Sequence, residues 1–133
     1  MKNRNQFVVV LCDIRSAYNV GAIFRTADGM GVLKIFLCGT TPTPTDRFGR
    51  KRKDIAKTAL GAEEFIPWKY FKTVEEALKD LKKDNFFIVA LEQSDNSKDI
   101  DKIKTNKKTA LILGNETEGL SEKIISLCDE IAE

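Results

Sequence analysis

Few residues in this chain are equipped for chemistry, and the first set lies in "NVGAIFRTADGMG", residues 19–31. Val20, Ile23, Phe24, Ala27 and Met30 recur there at helical spacing and predict one apolar face. Asn19 opens the stretch, Gly21 follows, and Arg25 stands among the apolar positions. Arg25 is either a solvated charge or a group the helix is built to present. A guanidinium can grip phosphate with two parallel hydrogen bonds and stabilise developing negative charge, but with a pKa above about 12 it is a reluctant base. The second set is "LILGNETEGLSE", residues 111–122, where Gly114 follows an apolar run and Gly119 precedes a helix cap. Glycines there allow close backbone approach to a ligand, around the polar group Asn115, Glu116, Thr117 and Glu118. A turn with a solvated acidic surface accounts for the same residues. The third set is "RFGRKRKDIAK", residues 47–57, where Arg47, Arg50, Lys51, Arg52, Lys53 and Lys57 face one acid, Asp54. Such a run is a solvated face or a site for phosphate, with Phe48 able to stack on a base.

Other chemistries are excluded by what is missing. The chain has no histidine, which removes the usual general base and metal ligand. Its three cysteines, Cys12, Cys38 and Cys128, are odd in number and not closely paired, so neither a disulfide framework nor a metal site is expected. The P-loop pattern is absent. "GMGVLK" lacks the third glycine of a dinucleotide fingerprint and precedes a strand. A net charge of +2 says little about partners. No apolar run approaches the roughly 18–20 residues a membrane span needs, and the N-terminal run is too short for a secretory signal. A single cytoplasmic domain is the expectation for 133 residues that are 42% hydrophobic and 32% charged.

The elements that position these groups alternate. Strands are predicted at 7–12, 33–39, within 63–70, at 86–92 and at 109–114. Helices are predicted from Asn19, over 53–61 with Gly61 as the stop, over 73–84 with a Thr73 capping box, and over 121–130 capped by Ser121. The polar stretch between 93 and 108 has room for a short helix, and "TTPTPTDRFGR" reads as a loop. The pattern predicts an α/β fold, a mostly parallel sheet with helices on both faces. Ligands then belong beyond the carboxyl ends of the strands, after Cys12, Cys38, Leu91 and Leu113.

Together, "NVGAIFRTADGMGV" and "LILGNETEGLS" resemble the first two motifs of the SpoU/TrmH class of SPOUT RNA methyltransferases, in order and after the expected strands. The resemblance runs from about Phe7 onward. It implies an α/β knot, S-adenosylmethionine as methyl donor, an RNA ribose 2′-hydroxyl as acceptor (tRNA ahead of rRNA), and a homodimer without metal or membrane. By motif, Arg25 is the catalytic arginine, Asn19 shapes the first loop and Glu116 is the second-motif acid, oriented toward Asn19 or Arg25. Leu91, Leu113, Gly114, Asn115 and Gly119 are the cofactor-pocket residues, and Arg47, Arg50, Lys51 and Arg52 the RNA-binding ones. The family's third motif, I-P-M and then S-L-N-V-S, has no counterpart before Glu133. Residues 1–133 are therefore expected to form one C-terminally shortened domain with an incomplete knot. A relative that binds RNA without the cofactor pocket is the alternative.

Overall fold

A computed structural model describes residues 6–92 and 108–133. The chain forms β1 (Phe7–Cys12), α1 (Ala17–Met30), β2 (Lys34–Cys38), α2 (Lys53–Ala59), a 3-10 turn (Ala62–Glu64) and β3 (Trp68–Phe71). It continues with α3 (Val74–Lys83), β4 (Phe87–Leu91), β5 (Thr109–Leu113), α4 (Glu122–Ser126) and β6 (Glu130–Ala132). Among the described residues the strands make one sheet in the order β3-β2-β1-β5-β4-β6, every pairing parallel.

Both faces are covered, as the apolar strands predict. Alternate residues of β1 serve opposite cores. Val8 and Val10 pack with Phe36, with Val74, Leu78 and Leu81 of α3, and with Ile124 of α4. Val9 and Leu11 pack with Val20, Phe24 and Ala27 of α1 and Ile55 and Ala59 of α2. Gly21 explains how α1 and α2 come so close: a Cβ there would collide with Thr58 Oγ1 and the Ile55 carbonyl. The glycine of the first motif is thus a packing residue.

The elements match the predicted ones to within a few residues, with four differences. Ser16, not Asn19, caps α1: its hydroxyl accepts from the Asn19 N–H at 3.1 Å, about one turn before the apolar stripe begins at Val20. Met30 leaves the apolar face and is 75% exposed, because Gly31 ends the helix in the left-handed region. Leu60, ahead of Gly61, terminates α2 with φ of 53°. The predicted helix 121–130 stops at Ser126. Asp129 takes over there: its N–H donates to the Ile88 carbonyl at 2.7 Å and its carboxylate accepts from the Ile88 N–H at 2.8 Å. That clamp feeds β6 alongside β4, in a register too short to read from sequence. The capping box at Thr73 forms as predicted. The short helix expected between 93 and 108 falls almost wholly outside the described residues.

Candidate active site at the carboxyl ends of β1, β4 and β5

The chain leaves β1 into α1 on one face and leaves β5 into α4 on the other. Adjacent strands whose connections diverge leave a crevice at their carboxyl ends, where ligands of open α/β sheets bind. The first- and second-motif loops meet there. The Asn19 amide donates to Glu116 Oε2 at 2.9 Å across 97 positions of sequence. The Asn115 amide donates to the Asp13 carbonyl at 3.1 Å, tying the second loop to the end of β1. Arg15 and Glu118 add an exposed ion pair at 3.6 Å, worth little by itself.

The second-motif loop folds back on itself. Asn115 Oδ1 accepts from the N–H groups of Thr117 and Glu118 at 2.7 and 3.2 Å, and the Gly119 N–H donates to the Asn115 carbonyl at 2.6 Å. A Cβ on Gly114 would sit 2.7 Å from the Gly119 carbonyl carbon and 2.8 Å from Leu120. Gly119 has φ of 68°, and a Cβ there would meet Glu92 Oε2 at 2.6 Å. The two glycines therefore serve first to close the loop, and only their remaining backbone surface faces outward.

Leu91, Gly114, Asn115 and Gly119 line one cleft of about 660 Å³, together with Glu92, Glu116, Thr117, Glu118 and Glu133. Its size suits a small-molecule ligand. Open backbone and several carboxylates suit a ligand that carries positive charge and accepts amide hydrogen bonds. Leu113 differs from its expected place: its side chain packs into the core beneath α1 and is not in the cleft wall. Two neighbouring clefts flank the same loop. One of about 230 Å³ lies between Asn19, Arg15 and Asn115–Thr117. The other, of about 400 Å³, lies beyond Glu118 and Gly119 and includes Cys12, Asp13, Cys38 and Lys72.

Arg25 stands apart from this junction. It is exposed on α1 and makes no side-chain hydrogen bond or ion pair with the described residues. Six residues past Asn19 carry it about 9 Å along the helix axis and to another face. Among the described residues Glu116 is held by Asn19 and not by Arg25, so of the two expected partners the structure brings Asn19 to the second-motif acid.

Two residues of the junction escaped the sequence reading. Asp13 has a left-handed backbone, φ of 57°, and its Oδ1 accepts from the Thr40 N–H and hydroxyl at 2.9 and 3.1 Å. Glu92 accepts from the Leu120 N–H at 3.4 Å and so braces the loop from β4. Their only signal in the sequence is position, directly after Cys12 and Leu91.

The basic run also changes character. Arg50 pairs with Asp46 at 2.9 Å, Arg52 with Asp54 at 3.2 Å, and Lys51 with Glu64 at 3.0 Å and the buried Glu63 at 3.7 Å. A hydrogen bond to Glu64 raises the Lys51 ammonium above its ordinary value. Asp46, Glu63 and Glu64 lie outside the 47–57 window, so a patch that looks isolated in sequence is partly neutralised in space. Arg47 is the member of the predicted RNA-binding set without an acidic partner among the described residues.

Cysteine chemistry finds no support. Burial, then the charge of Asp13, pushes Cys12 from 9.0 up to about 11; burial pushes Cys38 up to about 12 and Cys128 up to about 11. At pH 8 a thiol at about 11 holds on the order of 100-fold less thiolate than one at 9, and the thiolate is the nucleophile. Iodoacetamide labelling of the native protein at pH 8 should therefore run at least about 10-fold slower than in urea. Equal rates would refute the shielding. Among the described residues no group of three or more His, Cys, Asp or Glu is placed to hold a metal ion, and no helix is long and apolar enough to cross a membrane.

Residues 6–133 match the model of the SpoU rRNA Methylase family. The tRNA (guanosine(18)-2′-O)-methyltransferase of Escherichia coli K12 is 27% identical over 132 residues, which cover 98% of this chain and 54% of that protein. The AdoMet-bound rRNA methyltransferase from Sinorhizobium meliloti superposes with a TM-score of 0.83 at 25% identity, over 98% of this chain and 47% of that one. The SpoU methyltransferase AviRb from Streptomyces viridochromogenes, solved with AdoMet, shares the fold at a TM-score of 0.83 and 21% identity, with 100% and 49% covered. The chain thus spans about half the length of these three relatives.

Proposed function

The chain belongs to the SpoU rRNA methylase family, and from that premise we propose that it methylates an RNA ribose 2′-hydroxyl with S-adenosylmethionine as donor. The observation that carries the proposal is the 2.9 Å bond between Asn19 and Glu116, which joins the two motif loops beside the glycine-built cleft. The donor set of that cleft fits the cofactor. S-adenosylmethionine is a sulfonium and an ammonium joined to a nucleoside, and carboxylates with open backbone are suitable partners for it. When bound, it supplies an electrophilic methyl group and with it the difficult part of the chemistry.

This chain's own residues do the rest. The backbone around Leu91, Gly114, Asn115 and Gly119 would hold the cofactor, and Glu92 and Glu118 would favour its positive charge. Asn19 and Glu116 keep the loops in register, and Leu113 supports them from the core. Arg25 grips an RNA phosphate in its fork and stabilises negative charge developing on the ribose oxygen. A guanidinium does not remove the hydroxyl proton itself, so that proton passes to the phosphate or to water.

Arg25 lies about 9 Å along the α1 axis from Asn19, on another face, and makes no bond to the second-motif loop of its own chain among the described residues. We place it over the cleft of a second copy in a homodimer, with residues 1–133 as one methyltransferase domain acting in the cytoplasm on tRNA ahead of rRNA. Arg47, Arg50, Lys51 and Arg52 form the RNA-facing loop, Arg47 foremost because, of these four, it has no acidic partner among the described residues. The test is incubation with methyl-labelled S-adenosylmethionine and either tRNA or rRNA, followed by nucleoside analysis. The expected product is a 2′-O-methyl nucleoside, lost when the target ribose is 2′-deoxy. Label that persists on the deoxy substrate would move the reaction to a base.

A further inference from the structure

We infer that the loop tip Arg47–Phe48–Gly49–Arg50 is a stacking platform for an unpaired nucleobase, an assignment that rests on the RNA reading above. Phe48 is 68% exposed and contributes to neither core. A single exposed aromatic is unremarkable in itself. What distinguishes this one is how firmly the chain holds it out. The Asp46 carboxylate accepts from the N–H groups of Phe48 and Arg50 at 2.8 and 2.9 Å and from Arg50 Nε at 2.9 Å. The Asp46 N–H donates to the Arg50 carbonyl at 2.8 Å, the Arg52 N–H donates to the Pro44 carbonyl at 2.8 Å, and Thr45 bridges to Lys51. The bonds from the Arg50 and Phe48 N–H groups also hold the Asp46 carboxyl below its usual range, so the anchor stays ionised at neutral pH.

Two guanidiniums attend the ring, Arg47 at 5.2 Å and Arg50 at 5.0 Å from its centroid. Arg50 is tethered to Asp46 and stays in place, while Arg47 has no acidic tether among the described residues and can exchange the ring for a phosphate. Phe65 is the contrast: it is 77% exposed, yet no cation of the described residues lies on its ring. A rigid aromatic offered to solvent loses little entropy on binding. It has no partner in duplex RNA, whose bases are already stacked, and a sequence-tolerant one in any splayed base. Because acids pair Arg50, Lys51 and Arg52, the loop tip gains more from one stacked base than from counting phosphates.

The test is fluorescence anisotropy with a labelled single-stranded RNA and with the same strand in a duplex. Phe48→Ala and Phe48→Leu should each weaken single-strand binding by about 5- to 100-fold, the range expected for one stacked base. Phe48→Trp should restore it, and duplex affinity should not change. The salt dependence should stay the same in the Phe48 variants and become shallower by about one phosphate contact in Arg47→Ala. Unfolding midpoints should match, since the ring is exposed. Wild-type-like binding by Phe48→Leu, or by Phe48→Ala while the wild type binds RNA, overturns the platform and leaves the RNA reading in place. Failure of the wild type to bind either RNA overturns both.

Discussion

Arg25→Lys should lower methyl transfer by about 10²–10³-fold while leaving affinity for S-adenosylmethionine and the unfolding midpoint unchanged, the magnitude seen when one preorganised donor to a developing oxyanion is lost. Lysine keeps the charge but not the fork, and the fork is what fixes a phosphate in one orientation. Stability should hold because Arg25 is exposed and makes no ion pair or side-chain hydrogen bond with the described residues. Single-turnover rates with the methylated nucleoside as readout make the comparison. Near-normal turnover would remove Arg25 from the reaction.

The larger effect should appear in a mixture. Gly114→Ala places a Cβ 2.7 Å from the backbone of Gly119 and 2.8 Å from Leu120, so the loop must shift and the cleft with it. Arg25→Ala disables the other half of the proposed composite site. Each variant alone should be nearly inactive. If Arg25 serves the partner's cleft, refolding the two together should recover about a quarter of wild-type activity, since half the dimers of a twofold assembly are mixed and each has one intact site. No recovery would place Arg25 and the cleft in the same chain, against the roughly 9 Å of helix that separates Arg25 from Asn19. Equal unfolding midpoints for Gly114→Ala and wild type would show that the loop shifts without loss of the fold.

Much of this arrangement is legible in the sequence because it rests on local periodicity. β1 and β2 are β-branched and apolar runs, α3 carries its own capping box, and the glycines around Asn115 lie where a strand ends. Gly114 and Gly119 read as loop glycines in the sequence, and the structure gives the reason: one abuts backbone, the other has positive φ. What sequence could not supply is distance between remote segments. It could offer Asn19 or Arg25 as partner to Glu116, but only the fold decides for Asn19. It read the basic run as nearly acid-free, because Glu63 and Glu64 reach Lys51 from outside the window. Asp13 and Glu92 carry no motif, and their roles come from hydrogen bonds to chain far away in sequence. β6 is three residues long, and it is placed by pairing with β4 and by the Asp129 bonds to Ile88, neither of which a local pattern announces.

The most direct measurement is titration calorimetry of the folded protein with S-adenosylmethionine. Saturable binding at one site per chain is expected, weakened at least about 10-fold by Gly114→Ala and unchanged by Arg25→Lys, because only the first alters the cleft wall. Absence of binding in a sample shown to be folded would contradict the proposed cofactor site.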